Sequence, residues 1–247
     1  MRVLQDEEGI SLTANESTGV YTLRMDRGPN VVNPHFIDLL GKAIDKIEKA
    51  SHPKTLVLTG SGKFFSNGLD LEFLTKSNDT QKNQMIESFW RLLARLLVAD
   101  CRTVAAINGH GFGAGFFLAL ACDYRIMRTQ RGYLCWPEVN LGMRLAKGFS
   151  ELSKAKVTDP KVIRDGILTA KRYDSKEALI WRLIDEECPL EDLHHRSETL
   201  AVAGLPKNLG LLNFDPQTFQ QIKIELYVDA YRALTSGRVD APPESRL

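Results

Sequence analysis

Cysteine is scarce and unpatterned. Cys101, Cys122, Cys135 and Cys188 are the only four, far apart and without a CxxC pair. A disulfide framework is therefore not expected, and they read as reduced thiols in a cytosol-like compartment, with Cys122 a core residue. Charge of one sign is missing too. The chain carries 32 basic and 31 acidic residues, a formal net charge of +1, so neither a nucleic-acid nor a membrane surface is an expected partner. A phosphate-bearing small ligand would need only a local basic patch. The longest apolar run follows His110 and stops at Asp123, short of the ~20 residues a membrane span requires. Acids stand in "MRVLQDEEGI" where a secretory signal needs an apolar core, so secretion is not expected. There is no internal repeat, no low-complexity block, no HExxH and no GxSxG. His35, His52, His110, His194 and His195 lack ligand spacing, so no metal is expected, and His194-His195 reads as a solvated helix face.

What is present is an alternation of short apolar runs and amphipathic stretches. "GVYTLRMD" (19–26) alternates as a half-buried strand does. Phe36, Leu40, Ala43, Ile44 and Ile47 follow at helical spacing, entered at Asn33-Pro34. "TLVLTG" (55–60) and "TVAAIN" (103–108) predict buried strands, and "YRIM" (124–127) another. Met85, Phe89, Leu92, Leu93, Leu96 and Leu97 make one stripe of a long helix. The fold class is α/β with a largely parallel core. After Gly148 the chain turns helical. "SKEALIWRLIDEECP" predicts a helix, a short strand and a proline stop, and Pro216–Leu234 a helical tail that covers the core or meets other subunits.

The stretch "NGHGFGAGFFLALACD" (108–123) places four glycines ahead of an apolar helix. Glycine admits close backbone approach, and a helix start offers unsatisfied N–H groups. A dinucleotide GxGxxG fails, because the third glycine would be Ala114 or Phe116. A P-loop at "LTGSGKF" fails as well, since Val57 stands where its first glycine belongs and Phe64 where its Ser or Thr belongs. An oxyanion hole needs a second N–H from elsewhere, and "KFFSNGLDL" (63–71) supplies a second glycine turn behind a buried strand. Two such turns meet at the C-terminal strand edge, where α/β folds bind ligands. Either turn alone reads more readily as no more than a tight turn.

"KFFSNGLDL", "AAINGHGFGAGFFLALACDYRI", "WPEVNLGM" and "LTAKRYDSKEALIWRLIDEECP" together resemble the ordered signature segments of the crotonase, or enoyl-CoA hydratase/isomerase, superfamily. Arg182 replaces a usual glycine in the last segment. The resemblance implies a crotonase-like spiral of ββα turns over residues 1–189. It implies a C-terminal helical trimerisation region over 190–247 and assembly as a homotrimer or hexamer. It also implies an acyl-CoA thioester as substrate and no separate cofactor, coenzyme A being part of the substrate. The oxyanion donors carried over by position are the amides of Leu69 and Ala114. The implied binding positions are Ser66, Asn67, Gly68, Gly113, Gly115, Phe117 and Trp136, although Ser66 by itself reads as a turn former.

The hydratases of that family resemble one another in using two glutamates. Here the first position is Phe117 and only the second, Glu138, is acidic. One carboxylate suits a double-bond shift rather than addition of water. The resemblance is thus to delta3-delta2-enoyl-CoA isomerases of unsaturated fatty-acid β-oxidation. A weak hydratase, a thioesterase, a decarboxylase or a non-catalytic acyl-CoA binder are the alternatives. Trp136, Phe117 and Leu141 are expected around Glu138, an apolar setting that would disfavour its charge. Met143, Arg144 and Lys147 depart from the commoner pattern and are placed to reshape the acyl pocket or touch the ligand. Lys63 reads as a solvated turn lysine, with CoA phosphates as its alternative partner. Asp70 reads as a helix cap and Asp123 as a pin on backbone. The final Ser245, Arg246 and Leu247 resemble a peroxisomal address read by an import receptor.

Overall fold

The computed structural model describes residues 1–204 and 215–241. Two strands beyond those expected come first, β1 (Arg2–Glu7) and β2 (Ile10–Asn15). Glu8 and Gly9 between them hold φ of 46° and 78°, the two positive values a tight hairpin demands. β3 (Val20–Met25) completes an antiparallel trio. α1 (Pro34–Glu48) starts where expected, because the Asn33 side chain accepts the Phe36 N–H at 2.9 Å and Pro34 fills the first turn.

The chain then repeats one unit. β4 (Thr55–Gly60) leads to β5 (Phe64–Ser66), α2 (Leu71–Lys76) and α3 (Asp79–Leu97). β6 (Arg102–Ile107) leads to β7 (His110–Phe112) and α4 (Ala114–Leu120). β8 (Tyr124–Arg128) leads to β9 (Leu134–Cys135) and a 3-10 turn, Glu138–Leu141. The long strands extend the first sheet in parallel, in the order β1-β2-β3-β4-β6-β8-β10, while β5-β7-β9 form a small parallel sheet of their own. The spiral of ββα turns is this repetition. The last strand of the large sheet, β10 (Glu186–Cys188), follows α5 (Lys147–Lys156), α6 (Pro160–Thr169) and α7 (Ser175–Ile180).

Three helices follow among the described residues: α8 (Leu190–Ala203), α9 (Pro216–Leu226) and α10 (Val228–Ser236). The single tail helix expected over 216–234 is two, because Tyr227 leaves the helical region at φ −115° and ψ 28°. Its hydroxyl lies 3.3 Å from Lys156 Nζ. α8 buries Leu193, Leu200 and Ala201 against Val57, Val104, Ala106 and Ile126 on one face of the large sheet. The other face carries the main core, including the stripe of α3 and all seven residues of α4. α9 is tied down by Lys223, whose Nζ reaches Asp123 Oδ2 at 2.7 Å and the Cys101 carbonyl at 3.1 Å. Asp123 also accepts the Thr103 N–H at 2.9 Å, so it pins backbone as expected. Arg182, at the position where the resemblance implies glycine, adopts a left-handed φ of 55°. No helix among the described residues is long and apolar enough to cross a membrane, and no His, Cys, Asp or Glu cluster there could hold a metal ion.

Candidate active site

The two glycine turns meet because the strands before them pair. β5 and β7 are neighbours in the small sheet, so the chain leaves both at the same edge. The glycines at this contact are there for space. A Cβ on Gly68 would lie 2.7 Å from the Phe112 carbonyl oxygen and 3.5 Å from the Ala114 nitrogen. One on Gly115 would lie 2.3 Å from the Ser66 carbonyl oxygen.

The first turn is held by backbone from a distant segment. The Val32 N–H donates to the Gly68 carbonyl at 2.8 Å, and the Asp70 N–H donates to the Val32 carbonyl at 2.9 Å. The Gly68 C=O and the Leu69 N–H belong to one planar trans peptide and point in opposite directions. Fixing that carbonyl on Val32 therefore turns the Leu69 amide away from Val32, and Leu69 lines the cavity between the turns. In the second turn Gly113 sits at φ 49° and ψ −119°, and its carbonyl accepts from Phe116 and Phe117. Ala114 is the first residue of α4, where no preceding carbonyl is in reach. Among the described residues neither the Leu69 nor the Ala114 N–H has an acceptor.

Glu138 completes the site from a third segment. Pro137 and Glu138 begin the 3-10 turn, and Gly142 closes it at a left-handed φ of 62°. The Glu138 carbonyl accepts the Met143 N–H at 2.9 Å, which folds the following loop back. Glu138 Oε2 is buried with no hydrogen-bond partner. Burial pushes this carboxyl up from 4.5 to about 7, against a weaker opposing pull from its own backbone N–H. The cavity is small, about 50 Å³, and is lined by Asn67, Gly68, Leu69, Leu71, Gly113, Ala114, Pro137, Glu138, Leu141 and Met143. Glu138 is the one titratable side chain in that lining.

Of the residues the sequence nominated, Asn67, Gly68, Leu69, Gly113, Ala114 and Glu138 come together here, and Leu141 and Met143 join them. Ser66, Gly115, Phe117 and Trp136 do not line the cavity. Ser66 is buried and donates to the Asn30 carbonyl at 2.7 Å, acting as a turn former. Gly115 makes room for Ser66. Phe117 and Trp136, expected around the carboxyl, are core rings outside the cavity lining. Phe117 stacks on Phe149 with ring centroids 4.3 Å apart. Trp136 packs on Phe116 at 4.5 Å and fills the space over Gly166. Beyond Ala114, helix α4 is buried on every side, so Phe116 and Phe117 both face core. Arg144 turns away to the carbonyls of Val239 and Ala241, at 3.0 and 2.7 Å. Lys63 is exposed, over the Phe64 ring at 5.2 Å.

Sequence reasoning missed Val32 and Asn30. The Asn30 side chain is fully buried, and its Nδ2 donates to the carbonyls of Met25 and Phe65 at 3.1 and 3.0 Å. The signal was available in "GPNVVNP", where polar asparagines interrupt an apolar approach to a helix.

Two outward-facing amides opposite a desolvated carboxyl, mounted on a ββα spiral, define a class of α/β protein suited to a carbonyl that gains negative charge while a neighbouring carbon loses a proton. The chain belongs to the enoyl-CoA hydratase/isomerase family, whose model matches residues 15–209. It is an acyl-CoA enzyme acting on a CoA thioester. It is 31% identical over 219 residues to the peroxisomal enoyl-CoA delta isomerase 2 of Arabidopsis thaliana, covering 84% of this chain and 89% of that one. It is 27% identical to the carnitinyl-CoA dehydratase of Salmonella arizonae, covering 93% and 87%. A crystal structure of the probable enoyl-CoA hydratase EchA3 of Mycobacterium tuberculosis superposes with a TM-score of 0.82 at 26% identity, covering 93% and 92%.

Proposed function

We propose that the chain is a delta3-delta2-enoyl-CoA isomerase, converting 3-enoyl-CoA to trans-2-enoyl-CoA in unsaturated fatty-acid β-oxidation. The observation that carries this reading is the solitary Glu138 opposite the two free amides. The thioester oxygen lies between the N–H groups of Leu69 and Ala114. Glu138, as the carboxylate, takes a proton from C2. The C2–H bonding pair moves into conjugation with the thioester, and negative charge collects on its oxygen. Each donor aimed at such an oxyanion contributes roughly 3–4 kcal/mol. The protonated Glu138 then delivers the same proton to C4, and the former C3–C4 double bond becomes C2–C3. No atom is gained or lost, so no second acid and no water is needed.

A carboxyl near 7 suits a group that both accepts and returns a proton at neutral pH. Hydration asks for one group to activate water and another to protonate carbon, and the cavity lining offers no second acid. The Arabidopsis relative, named a delta isomerase, supports the reading, whereas the dehydratase relative supports water chemistry on the same scaffold. Product analysis decides between them. With 3-hexenoyl-CoA the expected product is trans-2-hexenoyl-CoA, and crotonyl-CoA should remain unhydrated. Formation of 3-hydroxybutyryl-CoA at a comparable rate would overturn the assignment.

Peroxisomal residence and assembly as a homotrimer or hexamer belong to the same proposal. Residues 245–247 lie outside the described residues, and the name of the Arabidopsis relative supports the location. Ile222 and Leu226, 58% and 67% exposed on one face of α9, support burial against another subunit. Deleting Ser245–Leu247 should leave turnover intact and abolish peroxisomal import.

A further inference from the structure

We propose that Asn33 is a positioning residue for the first oxyanion donor, its bridge to Asp70 holding the Leu69 amide in line. The inference rests on reading Leu69 as an oxyanion donor and does not require that the reaction be an isomerisation. Asn33 and Asp70 are the N-caps of α1 and α2. Each side chain does two things. Asn33 Oδ1 accepts the Phe36 N–H at 2.9 Å, while its Nδ2 donates to Asp70 Oδ2 at 3.0 Å. Asp70 Oδ1 accepts the Phe73 N–H at 3.0 Å.

The bridge closes a ring around the donor. Val32 precedes Asn33 and holds the Gly68 carbonyl and the Asp70 N–H. Leu69 lies between those two residues. On one side Gly68 sits at φ 88°, where glycine supplies little torsional resistance. The Gly68–Leu69 peptide plane is therefore oriented by what grips it from outside. Val32 grips it directly, and Asn33 fixes the segment of Val32 to the residue that follows Leu69. A hydrogen bond to a carboxylate is stronger than one between neutral groups, which suits a fastening of this kind. Preorganisation matters here because the amide must already aim at the oxygen when charge develops.

A purely capping role for Asn33 would affect stability and leave the donor alone, and serine separates the two. Asn33→Ser keeps a capping oxygen for Phe36 but has no Nδ2 to reach Asp70. The full-length chain is assayed for steady-state kinetics on 3-hexenoyl-CoA, for thermal midpoint, and for the absorbance red shift of bound 2,4-hexadienoyl-CoA, which reports polarisation of the thioester carbonyl. Asn33→Ser should keep its thermal midpoint near that of the unsubstituted chain. It should shrink the red shift and lower kcat roughly 10- to 100-fold, with KM little changed. The paired exchange Asn33→Asp with Asp70→Asn restores a donor opposite a carboxylate, and it should recover most of the red shift. Asn33→Ser with an undiminished red shift and kcat would overturn the proposal, as would an exchange pair no better than Asn33→Ser. A red shift in the unsubstituted chain without turnover of 3-hexenoyl-CoA would sink the isomerase reading and leave this one standing. No red shift at all would overturn this one.

Discussion

Gly113 stands directly against Glu138: a Cβ on the glycine would lie 3.6 Å from the carboxyl Oε1 and equally close to the Pro137 ring. The second amide turn and the acid thus share a wall with no side chain between them. Gly113→Ala would put a methyl in that gap and force a backbone at φ 49° and ψ −119° that L residues avoid. The strain is about 1–3 kcal/mol. We expect at least a 100-fold fall in kcat/KM, measured on 3-hexenoyl-CoA, with the fold retained by circular dichroism.

Glu138→Gln keeps the shape and removes the base. It should lower kcat by roughly 100- to 10,000-fold while leaving acyl-CoA binding by titration within a few-fold. Unchanged turnover would mean that another group moves the proton.

The pH profile follows from burial. With the Glu138 carboxyl near 7 in the folded chain, the base form is scarce below that pH. We expect kcat/KM to rise with pH to a plateau above about 7. A profile already flat from pH 5 would contradict it.

The same raised carboxyl acts with opposite sign on stability. The folded value lies above the unfolded 4.5, so the contribution is whole below 4.5 and is lost as pH rises through about 7. A tenfold change in proton affinity is worth about 1.4 kcal/mol, so the loss is on the order of 3 kcal/mol. Glu138→Gln should therefore raise the thermal midpoint at pH 8 and leave it little changed at pH 4. Equal midpoints at pH 8 would show that the carboxyl is not desolvated.

Restoring a two-acid pattern with Phe117→Glu should not yield a hydratase. The ring is fully buried against Phe149 and does not line the cavity. A carboxyl there has no water and no partner, and the Phe149 ring loses its stack. The expected result is a loss of at least about 3 kcal/mol in chemical denaturation. Hydration of crotonyl-CoA by a well-folded variant would place residue 117 in the site after all.

Lys223→Met tests how α9 is fastened. The lysine and Asp123 are both largely buried, with side chains 5% and 14% exposed. Removing one partner leaves the Asp123 carboxylate with the hydrogen bonds of Thr103 and without its contacting cation. A cost of about 3 kcal/mol is expected from urea unfolding. Lys223→Met with Asp123→Asn should recover part of it.

The chain's local grammar was decided by sequence. Asn33-Pro34 specified a helix start, the α3 stripe a buried face, and Gly68 and Gly113 the turns, because caps, periodicity and positive φ depend on residues a few positions apart. The ordered motifs also placed the chain in its family, and with it Leu69, Ala114 and Glu138 as a set. Side-chain neighbours were another matter. β1 lay hidden in a run of exposed and acidic residues, since an edge strand buries too little to show a pattern, whereas β2 does alternate, burying Ile10, Leu12 and Ala14. Phe117 and Trp136 were legible as large apolar residues near the motifs, and only packing against α5 and α6 turned them into core. Val32 and Asn33 hold Leu69 across a gap of more than thirty residues, and spacing along the chain carries no record of which distant backbone a turn will meet. Tertiary structure alone decided that, because a contact between remote segments is set by how whole layers stack rather than by the residues that flank it.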